Sequence, residues 1–499
     1  MDFMRGLLCK SHLKTNPWLK NHKAVYLQYM VFSSIPFLIY VLPVFLLLYT
    51  LCPQRYKNSV LLISSIFIYS WGGPKFIGLI LITTFLDFYL VKKMHASRQT
   101  KSSRGWLYIS LSLNLGLLLY FKYMNFFIDS FCKLTGMDAP LMSIALPIGI
   151  SFYTFESLTY VLDVYRGEQK PLQNPWTYLT YILFFPKLIA GPIVRFKDMG
   201  QQLINRPSGL QPGLQISGFW LFALGLAKKT ILANTLGQQV DAIYHLPALD
   251  LNTAAAWTGA ITYTFQIYFD FSGYSDMAIG LGRMMGFRIA DNFNNPYTAI
   301  SITDFWKRWH ISLSTWMRHY LYIPLGGNQK GTIRTYLNLS IVFLISGLWH
   351  GAGLNFIVWG AYHGFFLIIE RLFMGRLLKA LPQWIGTVYM FFGVTLGWIF
   401  FRSDALGEAW IHLKACFSWN LTNGSFALQN ETLCFLLLSA VFSFWSLHPR
   451  LYKIQNLFFT EFKNPTYFAA YAVAGIVLYY ISLTFLSALH FNPFIYFRF

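Results

Sequence analysis

Charge is what this sequence has least of. Only 12% of its residues are Asp, Glu, Lys or Arg, while 55% are apolar and 19% aromatic; a soluble globular chain carries about 25% charged residues. No polar stretch is long enough to form a separate soluble domain, so the chain reads as one domain built for lipid. The cysteines Cys9, Cys52, Cys132, Cys416 and Cys434 show neither a CxxC pair nor metal-ligand spacing. That speaks against a disulfide framework and against a cysteine-held metal. Walker loops and GxSxG elbows are absent too, and the histidines lack the carboxylate spacing of a zinc helix. Acid is scarcer than base: 39 Lys and Arg stand against 19 Asp and Glu, a formal charge of +20. In a soluble protein this excess would point to nucleic acid. Here the basic residues sit in loops between apolar segments, as the positive-inside rule expects, and no nucleic-acid partner is implied.

What is present is a series of apolar runs long enough to cross a bilayer, among them Ile35–Cys52, Trp106–Phe121, Trp384–Phe401 and Ala469–Leu489. Others, such as Val60–Tyr69 and Phe76–Leu90, are short or interrupted. The count is roughly ten to twelve membrane segments, some tilted or re-entrant. The loop Lys92–Arg104 carries five basic residues and no acid, which places it in the cytoplasm. Tracing back from it puts the residue before the first helix outside. The segment Met1–Tyr29, with five basic residues and one acid, conflicts with that placement. It is read as a basic extension on the membrane surface, or as a mis-assigned start with translation beginning at Met30. The domain reading is therefore 1–29 as extension, 30–490 as membrane domain and 491–499 as an aromatic tail.

Polar side chains are expensive in hydrocarbon, so their concentration points to function. They gather in Phe265–Gly364. The first piece, "YFDFSGYSDMAIGLGRMMGF", places Asp270, Ser272, Tyr274, Ser275 and Asp276 inside an apolar segment. It reads either as a helix break whose freed backbone groups these side chains satisfy, or as the wall of a polar cavity. In the second, Asn294, Asn295 and Pro296 mark a turn, and Ser301 or Thr303 suits a helix cap. Phe305, Trp309, Leu313, Trp316 and Tyr320 then recur at spacings of four, four, three and four, one face of a helix. Asp304 and Arg308 stand one turn apart and can pair. The segment is amphipathic, basic and Trp-rich, which suits an interfacial or re-entrant position. His310 projects off its apolar stripe. The third piece ends an apolar run on His350, flanked by Gly347, Gly351 and Gly353. An ionisable group at membrane depth is functional by default, and histidine titrates where a proton-transfer residue must. His363 reads as a supporting or structural residue. Two histidines 40 residues apart, each following a tryptophan, suit general-base catalysis on a hydroxyl.

At these residues the sequence resembles the membrane-bound O-acyltransferases. The stretches "FWKRWHISLSTWMRHYLYIPLGGN" and "GLWHGAGLNFIVWGAYHG" carry the resemblance, with "LPIGISFYTFESLTYVLDVYRG" and "FFPKLIAGPIVRF" beside them. It runs from about Met30 to Phe499 and is strongest to the membrane subunit of bacterial alginate and exopolysaccharide O-acetylation; the teichoic acid D-alanyltransferases are more distant. The resemblance implies an all-α polytopic fold, a ring of tilted helices around a central tunnel, with His350 as principal catalytic histidine and His310 as its partner. It implies acetyl-CoA as a cytoplasmic donor substrate, with no permanently bound cofactor and no metal. Lys307 and Arg308 are weak candidates to attract the phosphates of coenzyme A. Further implications are the bacterial inner membrane and its lipids as setting, a polysaccharide acceptor outside, and an SGNH-like periplasmic or anchored acetyltransferase as partner. The terminal "FNPFIYFRF" resembles the tail of the small membrane partner in D-alanylation, making Tyr496 a candidate acyl carrier if this end lies outside. Two other classes remain open from sequence: a polysaccharide exporter or channel, and a non-catalytic scaffold for a soluble acetyltransferase.

Overall fold

The computed structural model describes residues 32–138, 140–206, 211–420, 428–462, 464–489 and 495. The basic extension and all of the tail except Ile495 lie outside the described residues. Every element among the described residues is helical. Eight helices are long and apolar enough to cross a bilayer: Pro74–Ala96, Ser102–Thr135, Pro212–Tyr244, Thr332–His350, Leu354–Ala380, Gln383–Arg402, Asn430–Leu447 and Pro465–Leu489. The remaining expected segments appear as the shorter helices Phe37–Leu51 and Lys57–Gly72 and as the long, more polar Thr253–Met284. Outward-facing side chains are strongly apolar, with Leu47 60%, Ile63 67%, Ile82 62% and Val473 61% exposed. Faces this apolar are satisfied by hydrocarbon rather than water. The molecule is an all-α, multi-pass membrane protein.

The centre is built on glycine. Gly218 and Gly225 in Pro212–Tyr244 face Gly273 and Gly280 in Thr253–Met284, each pair two helical turns apart. A Cβ on Gly225 would stand 2.5 Å from the Gly273 carbonyl oxygen, and one on Gly280 2.5 Å from that of Gly218. Only bare backbone permits this approach, the usual device for packing helices in lipid. It brings lysine to aspartate: Lys228 Nζ lies 2.6 Å from Asp276 Oδ2, and Lys229 Nζ 2.6 Å from Asp270 Oδ1. A wide turn at Lys228–Ala233 sits at this point of the partner helix.

Of the two readings of Asp270–Asp276, the helix break is not there. Thr253–Met284 runs unbroken for 32 residues, capped by the Asn252 side chain on the Ala255 N–H. The carboxylates are charge-paired with the neighbouring helix, so no backbone needs to be freed for them. The opposite correction applies downstream. The single helix expected through Phe305 and Tyr320 is two short helices, Ile302–Arg308 and Ile311–Met317, broken at His310 with φ of +45°. At about 10 Å each, neither can span a bilayer.

A second close pair completes the frame. Thr332–His350 and Leu354–Ala380 form a hairpin in which a Cβ on Gly360 would meet the Phe343 carbonyl oxygen at 2.3 Å. The hairpin turns directly after His350.

Candidate active site

The segment carrying His310 is fixed at its start by three caps. Ser301 Oγ accepts the Asp304 N–H at 3.0 Å, and the buried Glu370 carboxylate accepts the N–H groups of Ile302 and Thr303 at 2.6 and 2.8 Å. These are donors that a helix start leaves without intrahelical partners, and a negative charge there is favoured by the helix dipole. The expected Asp304–Arg308 pair forms at 3.0 Å. The helix closes at Trp309, and His310 turns into the left-handed region that β-carbon residues avoid. Asn292 holds the turn: its carbonyl oxygen accepts the Ile311 N–H at 2.9 Å, and its side-chain Oδ1 accepts the Ser312 N–H at 3.1 Å and the Ser312 hydroxyl at 2.9 Å. Asn292 Nδ2 donates to Ser275 Oγ of the long helix at 3.2 Å.

This geometry sets the tautomer of His310. A backbone N–H can only donate, so the Asn292 atom it meets is the oxygen. His310 Nδ1 lies 3.3 Å from that same oxygen and 3.4 Å from the Ser312 hydroxyl, whose hydrogen goes to Asn292 Oδ1; Nδ1 is therefore assigned as a donor. A neutral imidazole has one proton, which leaves Nε2 with a bare lone pair. His310 is fully buried, and Nε2 has no hydrogen-bond partner among the described residues.

His350 stands beside it, with the two rings 6.4 Å apart centre to centre. Its ring is walled by Trp349, Trp359 and Phe401 at 4.9, 5.1 and 5.2 Å, while Phe271 packs edge-on to His310 at 4.7 Å. An aromatic box of this kind excludes bulk water and leaves every charge inside it poorly screened.

The residues expected from sequence fall into four groups. His310 and His350 are brought together. His363 is buried behind Trp359, whose ring lies 5.1 Å from each of His363 and His350. Lys307 is exposed, and Arg308 is engaged by Asp304 and by Thr298 Oγ1 at 3.4 Å. Tyr496 lies outside the described residues, but its chain neighbour Ile495 is buried and donates its N–H to Asp270 Oδ2 at 2.9 Å.

Three supporting residues went unread in the sequence. Lys122 Nζ donates to the carbonyl oxygens of Trp349 and His350 at 2.5 and 3.2 Å, and Tyr123 OH to that of Leu348 at 2.6 Å. Together they cap the helix end on which His350 sits, where carbonyls lack intrahelical donors. A lone lysine in "LLLYFKYMNFF" was the available signal. Asn292 offered none, since its role exists only across the fold.

A family profile described as "MBOAT, membrane-bound O-acyltransferase family" matches residues 75–402. The chain is similar to a Pseudomonas putida protein named probable alginate O-acetylase, 42% identical over 94% of this chain and 100% of that one. It is also similar to a Helicobacter pylori peptidoglycan O-acetyltransferase, 34% identical over 82% of each. A Bacillus subtilis teichoic acid D-alanyltransferase is 29% identical over 51% of this chain and 67% of its own length.

Proposed function

The chain belongs to the membrane-bound O-acyltransferases and is an O-acyltransferase of the membrane; from that premise we propose that it moves an acetyl group from cytoplasmic acetyl-CoA across the bacterial inner membrane for O-acetylation of an extracytoplasmic polysaccharide. The observation that carries this reading is the pair of buried histidine rings 6.4 Å apart, one with a bare Nε2. Relatives named for alginate and peptidoglycan O-acetylation support the acetyl group and the polysaccharide acceptor.

The reaction is a transesterification. A hydroxyl oxygen attacks the thioester carbonyl, the new C–O bond forms and the C–S bond breaks. The hydroxyl proton must end on the departing coenzyme A thiolate. His350 takes that proton, a contribution of about 10²–10⁴-fold. With its proton on Nδ1, His310 cannot donate from Nε2 to an oxyanion in its resting state. Instead Nε2 accepts: it takes from His350 the proton removed from the hydroxyl and, once protonated, delivers it to sulfur. The Asn292 oxygen supports the cationic ring at that moment. Lys307, exposed three residues before His310, is left to meet the phosphates of coenzyme A, since Arg308 is engaged elsewhere.

The first acceptor in this scheme is the Tyr496 phenol, which then presents the acetyl group to a periplasmic SGNH-like acetyltransferase. An aryl ester is activated enough to be passed on. Burial of the neighbouring Ile495 against the wall that carries Phe271 supports this placement. The test is polymer acetylation in cells or vesicles holding wild type or Tyr496→Phe. We expect the variant to fold and reach the membrane while polymer acetylation is lost; full acetylation removes Tyr496 from the pathway.

A further inference from the structure

The long helix contains two lysine–aspartate pairs, and they differ in one respect. At Asp276 one carboxylate oxygen meets Lys228 Nζ at 2.6 Å. At Asp270 one oxygen meets Lys229, and the other receives the main-chain N–H of Ile495, a residue 225 positions away. The side chains of this second pair are almost wholly buried, 1% and 2% exposed, and Ile495 is 4% exposed within an apolar cluster that includes Tyr268, Phe269 and Trp309.

We propose that the Lys229–Asp270 ion pair is a latch for the C-terminal segment: it presents one ionised, desolvated oxygen to a main-chain amide and thereby docks the chain at Ile495 against the catalytic wall. A carboxylate accepts such a bond about twice as strongly as a neutral group does. Lys229 serves the latch by supplying the countercharge that a buried carboxylate needs. Because the bond is to main chain, it fixes where the segment sits without occupying a side chain. The neighbour of Asp270 is Phe271, whose ring packs on His310. The latch thus holds Ile495 beside the aromatic wall of the histidines, and Asp270 is a positioning residue. Its bearing on transfer rests on the acyl-carrier reading of Tyr496; the docking itself does not.

The test is amide hydrogen exchange of the full-length protein in detergent micelles, read on the C-terminal peptide. Three variants accompany wild type. Ile495→Pro removes the donor and leaves the ion pair intact. Ile495→Ala keeps the donor. Asp270→Leu combined with Lys229→Met removes both charges, so that no buried charge is orphaned. In wild type the Ile495 amide is expected to be protected. In the double variant it should exchange about tenfold faster or more, as the loss of a bond to a charged group implies, with the Thr253–Met284 amides unchanged. Ile495→Pro should release the remaining tail amides to the same extent, and Ile495→Ala should not. A tail that exchanges equally fast in wild type and Ile495→Pro overturns the latch, whether or not the double variant folds. A protected tail with no acetyl group on Tyr496 would instead overturn the carrier reading and leave the latch standing.

Discussion

The helix Thr253–Met284 and the segment Asn292–Ser314 are both polar sequences inside an apolar domain, and they resolve that burden in opposite ways. The helix keeps its backbone intact and neutralises its carboxylates against lysines of a neighbour held close by glycine. The segment gives up its helix at His310, has its turn held by Asn292 and Ser312, and has its start capped by Glu370. Charge is met across helices; a buried histidine ring is placed by breaking one. The two are tied through Ser275 and Asn292, so the rigid element braces the strained one.

The largest expected difference lies in activity. Alanine at His310 or His350 should lower acetyl transfer about 10²–10⁴-fold while thermal unfolding stays near wild type. The long helix should respond in stability instead. Asp270→Ala takes its countercharge from the buried Lys229, and we expect a loss of about 3–5 kcal/mol. Asp276→Ala should lose less, because that pair retains 15% and 12% exposure. Equal losses would contradict the burial that separates the two pairs.

Glycine substitution sharpens the contrast with one chemistry and two signs. His310→Gly should be more stable than His310→Ala by about 1–2 kcal/mol, since only glycine takes a left-handed φ without penalty. Ala278→Gly, in the unbroken helix, should cost about 1 kcal/mol. Calorimetry or denaturant titration of the three variants decides this. The smallest effect is expected from Ser312→Ala, which removes the one hydroxyl that donates to Asn292 Oδ1 and accepts the Ile193 N–H. A loss of about fivefold in turnover, with His310 still required, fits a net hydrogen bond of about 1 kcal/mol.

Much of the fold was legible because apolar runs and loop charge report directly on a bilayer. The spans around Trp384–Phe401 and Ala469–Leu489 fall inside observed helices. The site was half legible. His310 and His350 stood out because histidine is rare at membrane depth, and the "RWH" and "LWHG" motifs carried the family. What failed was local backbone. Periodicity through Phe305, Trp309, Leu313, Trp316 and Tyr320 is real as a pattern, yet a turn set by Asn292 from outside the segment interrupts it. The aspartates of the long helix suggested a break because their lysine partners lie more than 40 residues earlier. Both errors have one cause: the partner that decides the local conformation is distant in sequence.

The central claim is that His310 and His350 move an acetyl group onto a hydroxyl held between them. Intact mass of purified protein after incubation with acetyl-CoA tests it most directly, comparing wild type with His350→Ala and His310→Ala. Wild type should carry a single acetyl adduct on its C-terminal peptide, and both variants should lose it. An adduct that persists without His350 would contradict it.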